Sequence, residues 1–180
     1  PACGTQTIPK VNKIFGPGNQ YVTTAKQLVQ KYGVAIDMPA GPSEVAVFAD
    51  ASANPDFVAA DLLSQAEPGP DSQVFFVTTD ESLIEKVNAS VATQLDALPR
   101  KDMAGKALAS SKTVLAANAE EAMDLLNFYA PEHLILACES PENLAGNVIN
   151  AGSVFLGHFS PESVGDYASG TNHTLPTNGY

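Results

Sequence analysis

The feature that most constrains this chain is a repeated switch between short runs rich in β-branched and aromatic residues and longer stretches with helical apolar spacing. Strand-type runs occur at Lys10 to Phe15, Val34 to Asp37, Glu44 to Ala49, Gln73 to Thr78, Thr113 to Ala116, Leu134 to Cys138 and Ser153 to Leu156. Between them, Tyr21, Val22, Ala25, Leu28, Val29 and Tyr32 share one helical face that ends at Gly33. Asn54 with Pro55 opens a second helix that reaches about Glu67, and Leu83, Ile84, Val87, Val91, Leu95 and Leu98 mark a third that stops at Pro99. Asn118 and Glu121 form a capping box for a helix ending near Tyr129, and Ser140-Pro141 starts a short one. The run Val74 to Val77 is continuous enough to be covered on both faces. Such alternation predicts an α/β fold, a parallel sheet with helices on both faces and right-handed crossovers, followed by an irregular polar tail. In sheets of this kind ligands lie by the loops leaving the carboxyl ends of the strands, so the unusual loops are the places to look for chemistry.

Composition narrows the function. Nine Lys+Arg stand against 20 Asp+Glu, a net charge of −11, with no basic cluster, so nucleic acid and anionic membrane surfaces are excluded as partners. The 44% hydrophobic share supports a domain-sized core and excludes disorder, while no apolar run reaches the ~18 residues of a membrane span. Cys3 and Cys138 are far apart and read as buried small hydrophobes of a reducing compartment. With no secretory signal in view, a cytoplasmic location is expected. The start at Pro1 and the stop at Tyr180 after a polar loop suggest a piece of a longer protein.

Four constellations can carry chemistry. Gly16-Pro17-Gly18-Asn19 joins a strand to a helix, where backbone amides favour an anion, although a tight turn with an Asn cap explains the same residues. Ala130-Pro131-Glu132-His133 sets an acid beside a base at a helix-to-strand junction, suited to general acid–base work or merely an exposed polar loop. The tail Gly165 to His173 collects Asp166, Ser169, Thr171, Asn172 and His173, which can bind a metal or an amine or simply make turns. Ser64-Gln65-Ala66-Glu67 closes a helix, where solvation is the simpler account and reach into a site the richer one. There are only three histidines, His133, His158 and His173, so a histidine-rich metal cage is excluded.

These loops, in this order, resemble those of the histidinol dehydrogenase family. The matching stretches are Lys13 to Asn19, Ile36 to Glu44, Ala60 to Glu67, Tyr129 to Leu134 and Gly165 to His173. The resemblance implies two Rossmann-like domains, with residues 1–42 the end of one, on the NAD side, and 43–180 most of the second, together a central fragment of the family's chain. It implies NAD-dependent oxidation of L-histidinol to L-histidine and an obligate homodimer. By the same resemblance Asn19 contacts NAD, and Ser43, Gln65, His133, Asp166 and His173 contact substrate. Glu132 and His133 are the catalytic acid–base pair, and Gln65 and Asp166 are zinc ligands.

One departure stands out. The family pattern carries a zinc-binding His where this chain has Pro68, and a further His ligand of the family falls after the position of Tyr180. Two oxygen donors remain where tight zinc binding takes about four ligands, so weak or absent zinc binding is expected. An alternative therefore stays open, a non-catalytic, degenerate homologue that serves as a nucleotide-binding or dimerising module.

Overall fold

The computed structural model describes residues 2–16, 18–39 and 43–170, and for Asp166 its backbone only. Two parallel sheets organise the chain. The smaller pairs β1 (Lys13–Ile14) with β2 (Ala35–Ile36). The larger contains β3 (Glu44–Ala49), β4 (Gln73–Thr78), β5 (Lys112–Leu115), β6 (His133–Ala137) and β7 (Ser153–Leu156) in the order β5-β4-β3-β6-β7, every neighbouring pair parallel.

Strand alternation splits the core of the large sheet into two layers. Val45, Val47, Val74, Phe76, Ile135 and Phe155 face α2 (Pro55–Ala66), α3 (Glu81–Ala97) and α4 (Lys101–Ser110). Ala46, Phe48, Phe75, Val77, Leu134 and Leu136 face α5 (Ala119–Tyr129) and α6 (Pro141–Ala145). Every residue of β3 and β6 is buried, as strands covered on both faces require. The alternating α/β architecture expected from the sequence is thus present.

Local signals explain most boundaries. Asn54 accepts from Asp56 N–H and Pro55 takes the first helical position, where a missing donor costs nothing. Asn118 accepts from Glu121 N–H at 2.9 Å, while the Glu121 carboxylate reaches Ala117 N–H at 2.6 Å, one residue earlier than a standard capping box. Ala130 caps α5 with φ 54°, the one non-glycine residue in the left-handed region among those described, and this turn redirects the chain into Pro131-Glu132-His133.

Four expectations need correction. Helix α4 has no counterpart in the apolar pattern; its buried positions are the small Ala104 and Ala107, which give a weak periodic signal. Strand β1 is two residues long instead of six, because β2 offers only two partners. Cys3 is exposed, and only Cys138 is buried. The apolar stripe of α1 (Gln20–Val29), continued by the 3-10 turn Gln30–Tyr32, faces outward, with Tyr21 at 77% and Leu28 at 50% exposure. The buried residue of that helix is Lys26, at 4%.

Lys26 pairs with Asp37 and donates to the Gly16 carbonyl at 2.8 Å, while Gly16 N–H donates to Asp37 Oδ2 at 2.8 Å. Burial works to raise the Asp37 pKa, but the Lys26 hydrogen bond, the Gly16 and Met38 amides and the Lys26 charge together lower it to about 2.

Candidate active site

The site grows from the start of β6. His133 is paired in register with Val45 on one side and Ser153 on the other, so its backbone is fixed between two strands of the sheet. It shares the face of Ile135 and Ala137 and therefore projects toward α2. There its Nδ1 lies 3.3 Å from Oε1 of Gln65, in the last turn of α2, and 3.9 Å from Oε1 of Glu162. The Phe155 ring, 6.0 Å between centroids, stands on another side of the imidazole. Gln65, His133 and Glu162 are all buried.

Glu162 arrives on a segment that leaves β7 and runs back along α2. His158 Nε2 meets Ser52 Oγ at 3.2 Å, and Phe159 packs edge-on against Phe57 at 5.7 Å. Further along, Glu162 Oε2 lies 3.1 Å from Ser64 Oγ, whose hydroxyl also reaches the Asp61 carbonyl at 2.8 Å. Burial first, and the neighbouring Glu162 charge second, push the Asp61 carboxyl up to about 7, against a hydrogen bond from the Glu162 amide. The turn Gly165–Ser169 follows at once, with Gly165 N–H bonded to the Glu162 carbonyl at 2.8 Å.

Glu132 precedes His133 and is held differently. Its Oε2 accepts from Glu44 N–H at 3.3 Å, and its own amide donates to the Glu44 carboxylate. The two glutamates thus clasp each other across β3 and β6. Glu44 is buried with Oε2 unpartnered among the described residues, and that burial raises its pKa despite the Glu132 amide.

The expected location needs correction. Glu132, His133 and Gln65 gather where strands β3, β4 and β6 begin, at the amino edge of the sheet. They reach it because α2 runs antiparallel to the strands and delivers its last turn there. The carboxyl edge instead carries Asp50, whose carboxylate accepts from Glu139 N–H and Ser52, beside His158. A cavity of about 770 Å³ opens near the amino edge on the α5 side, walled by Phe75, Phe128, Tyr129 and Ile149; none of the Gln65–His133 cluster lines it.

Other expected residues are placed as follows. Ser43 is exposed, and its carbonyl accepts from Gln73 N–H at 3.1 Å. Asn19 caps α1, its Oδ1 taken by Tyr21 and Val22 N–H at 3.1 and 3.2 Å. The approach allowed by Gly18 is to the helix itself, since a Cβ there would stand 2.5 Å from the Val22 side chain. His173 and the side chain of Asp166 lie outside the described residues. Pro68 turns toward α4, its carbonyl accepting from Arg100 at 2.9 Å. Glu162, Glu44 and Asp61 do not stand out from sequence as site residues. Only Glu44 and Asp61 fall within family-like stretches, neither with a role attached, and a lone Glu after Pro161 has no periodic or spacing signal.

The family model for histidinol dehydrogenase matches residues 1–180. The chain belongs to the histidinol dehydrogenase family. It is 67% identical to histidinol dehydrogenase of Bacteroides fragilis over 99% of this chain and 42% of that protein, and 59% identical to that of Shewanella oneidensis over the same shares. It superposes on the crystal structure of histidinol dehydrogenase from Elizabethkingia anophelis with a TM-score of 0.95 and 63% identity, covering 98% of this chain and 41% of that one. A gamma-glutamyl phosphate reductase from Thermotoga maritima, 11% identical with a TM-score of 0.52 over 81% of this chain and 41% of that one, shares the fold alone. The chain spans about two fifths of the length of the curated histidinol dehydrogenases it matches, as expected of a fragment.

No helix among the described residues is long and apolar enough to cross a membrane. Nor do those residues hold a group of three or more His, Cys, Asp or Glu side chains able to hold a metal ion.

Proposed function

We propose that this chain supplies part of the active site of an enzyme that oxidises L-histidinol to L-histidine by way of histidinal, with NAD accepting the hydrides. The observation that carries the reading is the meeting of His133, Gln65 and Glu162, with Glu132 beside them, in a chain 67% identical to a histidinol dehydrogenase. His133 takes the proton of the substrate hydroxyl as hydride leaves carbon. Glu132 activates the water that hydrates the aldehyde, so that a second hydride can depart. Ser43, Gln65, Asp166 and His173 hold the substrate. Asn19, in the residues 1–42 lobe, meets NAD through its amide nitrogen, since its oxygen is committed to the helix cap.

Zinc, which the family implies, does not fit this donor set. Pro68 has no side-chain donor, its carbonyl is bonded to Arg100, and Gln65 Oε1 already faces His133 Nδ1. No step is routed through a metal. Calorimetric titration is expected to show Zn²⁺ binding weaker than micromolar, with tighter binding in Pro68→His; sub-micromolar binding by the chain itself would contradict this.

Activity is tested by NADH formation from L-histidinol in the chain, in Pro68→His, and in a chimera where this segment replaces the matching part of the Bacteroides fragilis relative. Turnover by the chimera supports the enzyme. Pro68 favours a second reading, a homologue that retains NAD binding or homodimerisation without turnover; NAD binding with no NADH from any version would support it.

A further inference from the structure

We infer that Glu162 is a positioning residue that holds His133 as the Nδ1–H tautomer, leaving Nε2 as the nitrogen that accepts the substrate's proton. This deepens the dehydrogenase reading and rests on it only for the last step. Among the described residues Nδ1 faces Gln65 Oε1 at 3.3 Å and Glu162 Oε1 at 3.9 Å. An amide alone does not decide a tautomer, because Gln65 can turn over and present its NH₂ group to an unprotonated Nδ1. An ionised carboxylate only accepts, so Glu162, at 3.9 Å, favours a proton on Nδ1 through its charge and with it the Gln65 oxygen turned toward that nitrogen.

The surroundings fix Glu162 in place. Asp61, its neighbour, is the carboxyl driven up to about 7 by burial and by the Glu162 charge. Ser64 Oγ fixes the second Glu162 oxygen at 3.1 Å. Contacts at His158–Ser52 and Phe159–Phe57 hold the segment that delivers it. A base whose second nitrogen is held by a carboxylate has its ring orientation and tautomer set before substrate arrives.

The test is ¹⁵N-resolved NMR of the imidazoles in the chain at a pH where they are neutral, with the His133 signal assigned through His133→Asn. The chain is expected to show His133 mainly as Nδ1–H. Glu162→Leu should convert it mainly to Nε2–H, and the near-isosteric Glu162→Gln should move the ratio the same way by less, while Gln65→Leu leaves it in place. The His158 signal reports whether each variant keeps its fold. An Nε2–H tautomer in the unmodified chain, no shift in either Glu162 variant, or reversal by Gln65→Leu alone would overturn the inference. In the chimera, Glu162→Gln is expected to lower kcat about 10- to 100-fold with KM within about twofold; a loss confined to KM would contradict a positioning role. The NMR result does not depend on turnover, so an inactive chimera with the expected tautomer would sink the dehydrogenase reading alone.

Discussion

The two sheets are stabilised in opposite ways. In the large one, apolar side chains fill both layers and burial of each Val, Leu or Phe contributes roughly 1.5–3 kcal/mol. In the small one, α1 turns Tyr21, Leu28 and Tyr32 outward and buries Lys26 against Asp37. Apolar periodicity therefore reports that a helix will form, but which side is buried depends on what else is there to cover it. A chain matching only 42% of its relatives' length supplies one such covering layer for α2 and α5 and none, among the described residues, for the stripe of α1.

The largest expected effect that would sharpen this contrast is Phe48→Ala, which should cost about 3–5 kcal/mol, against a change within about 0.5 kcal/mol for Tyr21→Ala. Denaturant unfolding measures both. Comparable losses would mean that the α1 stripe is packed after all.

Next in size is Lys26→Met, which leaves the buried Asp37 carboxylate without its charged partner and should cost about 3 kcal/mol or more, seen as faster amide exchange in residues 13–36. The Asp37 pKa is depressed, so its contribution is present above the ordinary carboxylate value near 3.8 and is lost as pH falls toward about 2. Exchange in this lobe should therefore accelerate over that window in the parent chain and not in Lys26→Met/Asp37→Leu.

Asp61 has the opposite sign. Its pKa is raised, so the folded state binds more protons than the unfolded state between about 4 and about 7, and stability falls as pH rises through that window. Asp61→Asn should flatten the decline and raise Tm at pH 8 relative to the parent; an unchanged slope would mean that Asp61 ionises freely. The smallest effect is at Ala130, where Gly relieves the left-handed conformation and should stabilise by about 0.5–1 kcal/mol, checked by thermal melting.

Much of the fold is legible in the sequence because the strands carry it. Glu44–Ala49, Gln73–Thr78 and Ser153–Leu156 fall where their β-rich runs lie, and Asn19, Asn54 and Asn118 each cap the helix they precede. Helix α4 is not, since alanines against a sheet leave little apolar contrast. Within the site, Glu132-His133 is visible as an adjacent acid and base. Glu162 is not, because its role depends on a segment folding back 29 residues after His133 to lie along α2, and no local pattern encodes that return. The edge of the sheet is misjudged from sequence for a related reason. The rule for parallel sheets favours carboxyl ends, whereas here the last turn of α2 and the clasp between Glu44 and Glu132 gather the polar groups at the amino ends.

Under the proposed function, His133 and Glu132 at this edge serve different halves of a double alcohol oxidation. The most direct measurement is NADH formed per L-histidinol consumed by the chimera, compared with its His133→Asn and Glu132→Gln variants. The account predicts two NADH per substrate in the parent, a loss of about 100-fold or more in the first oxidation for His133→Asn, and release of histidinal with close to one NADH per substrate for Glu132→Gln. Two NADH at the parent's rate from either variant would contradict it.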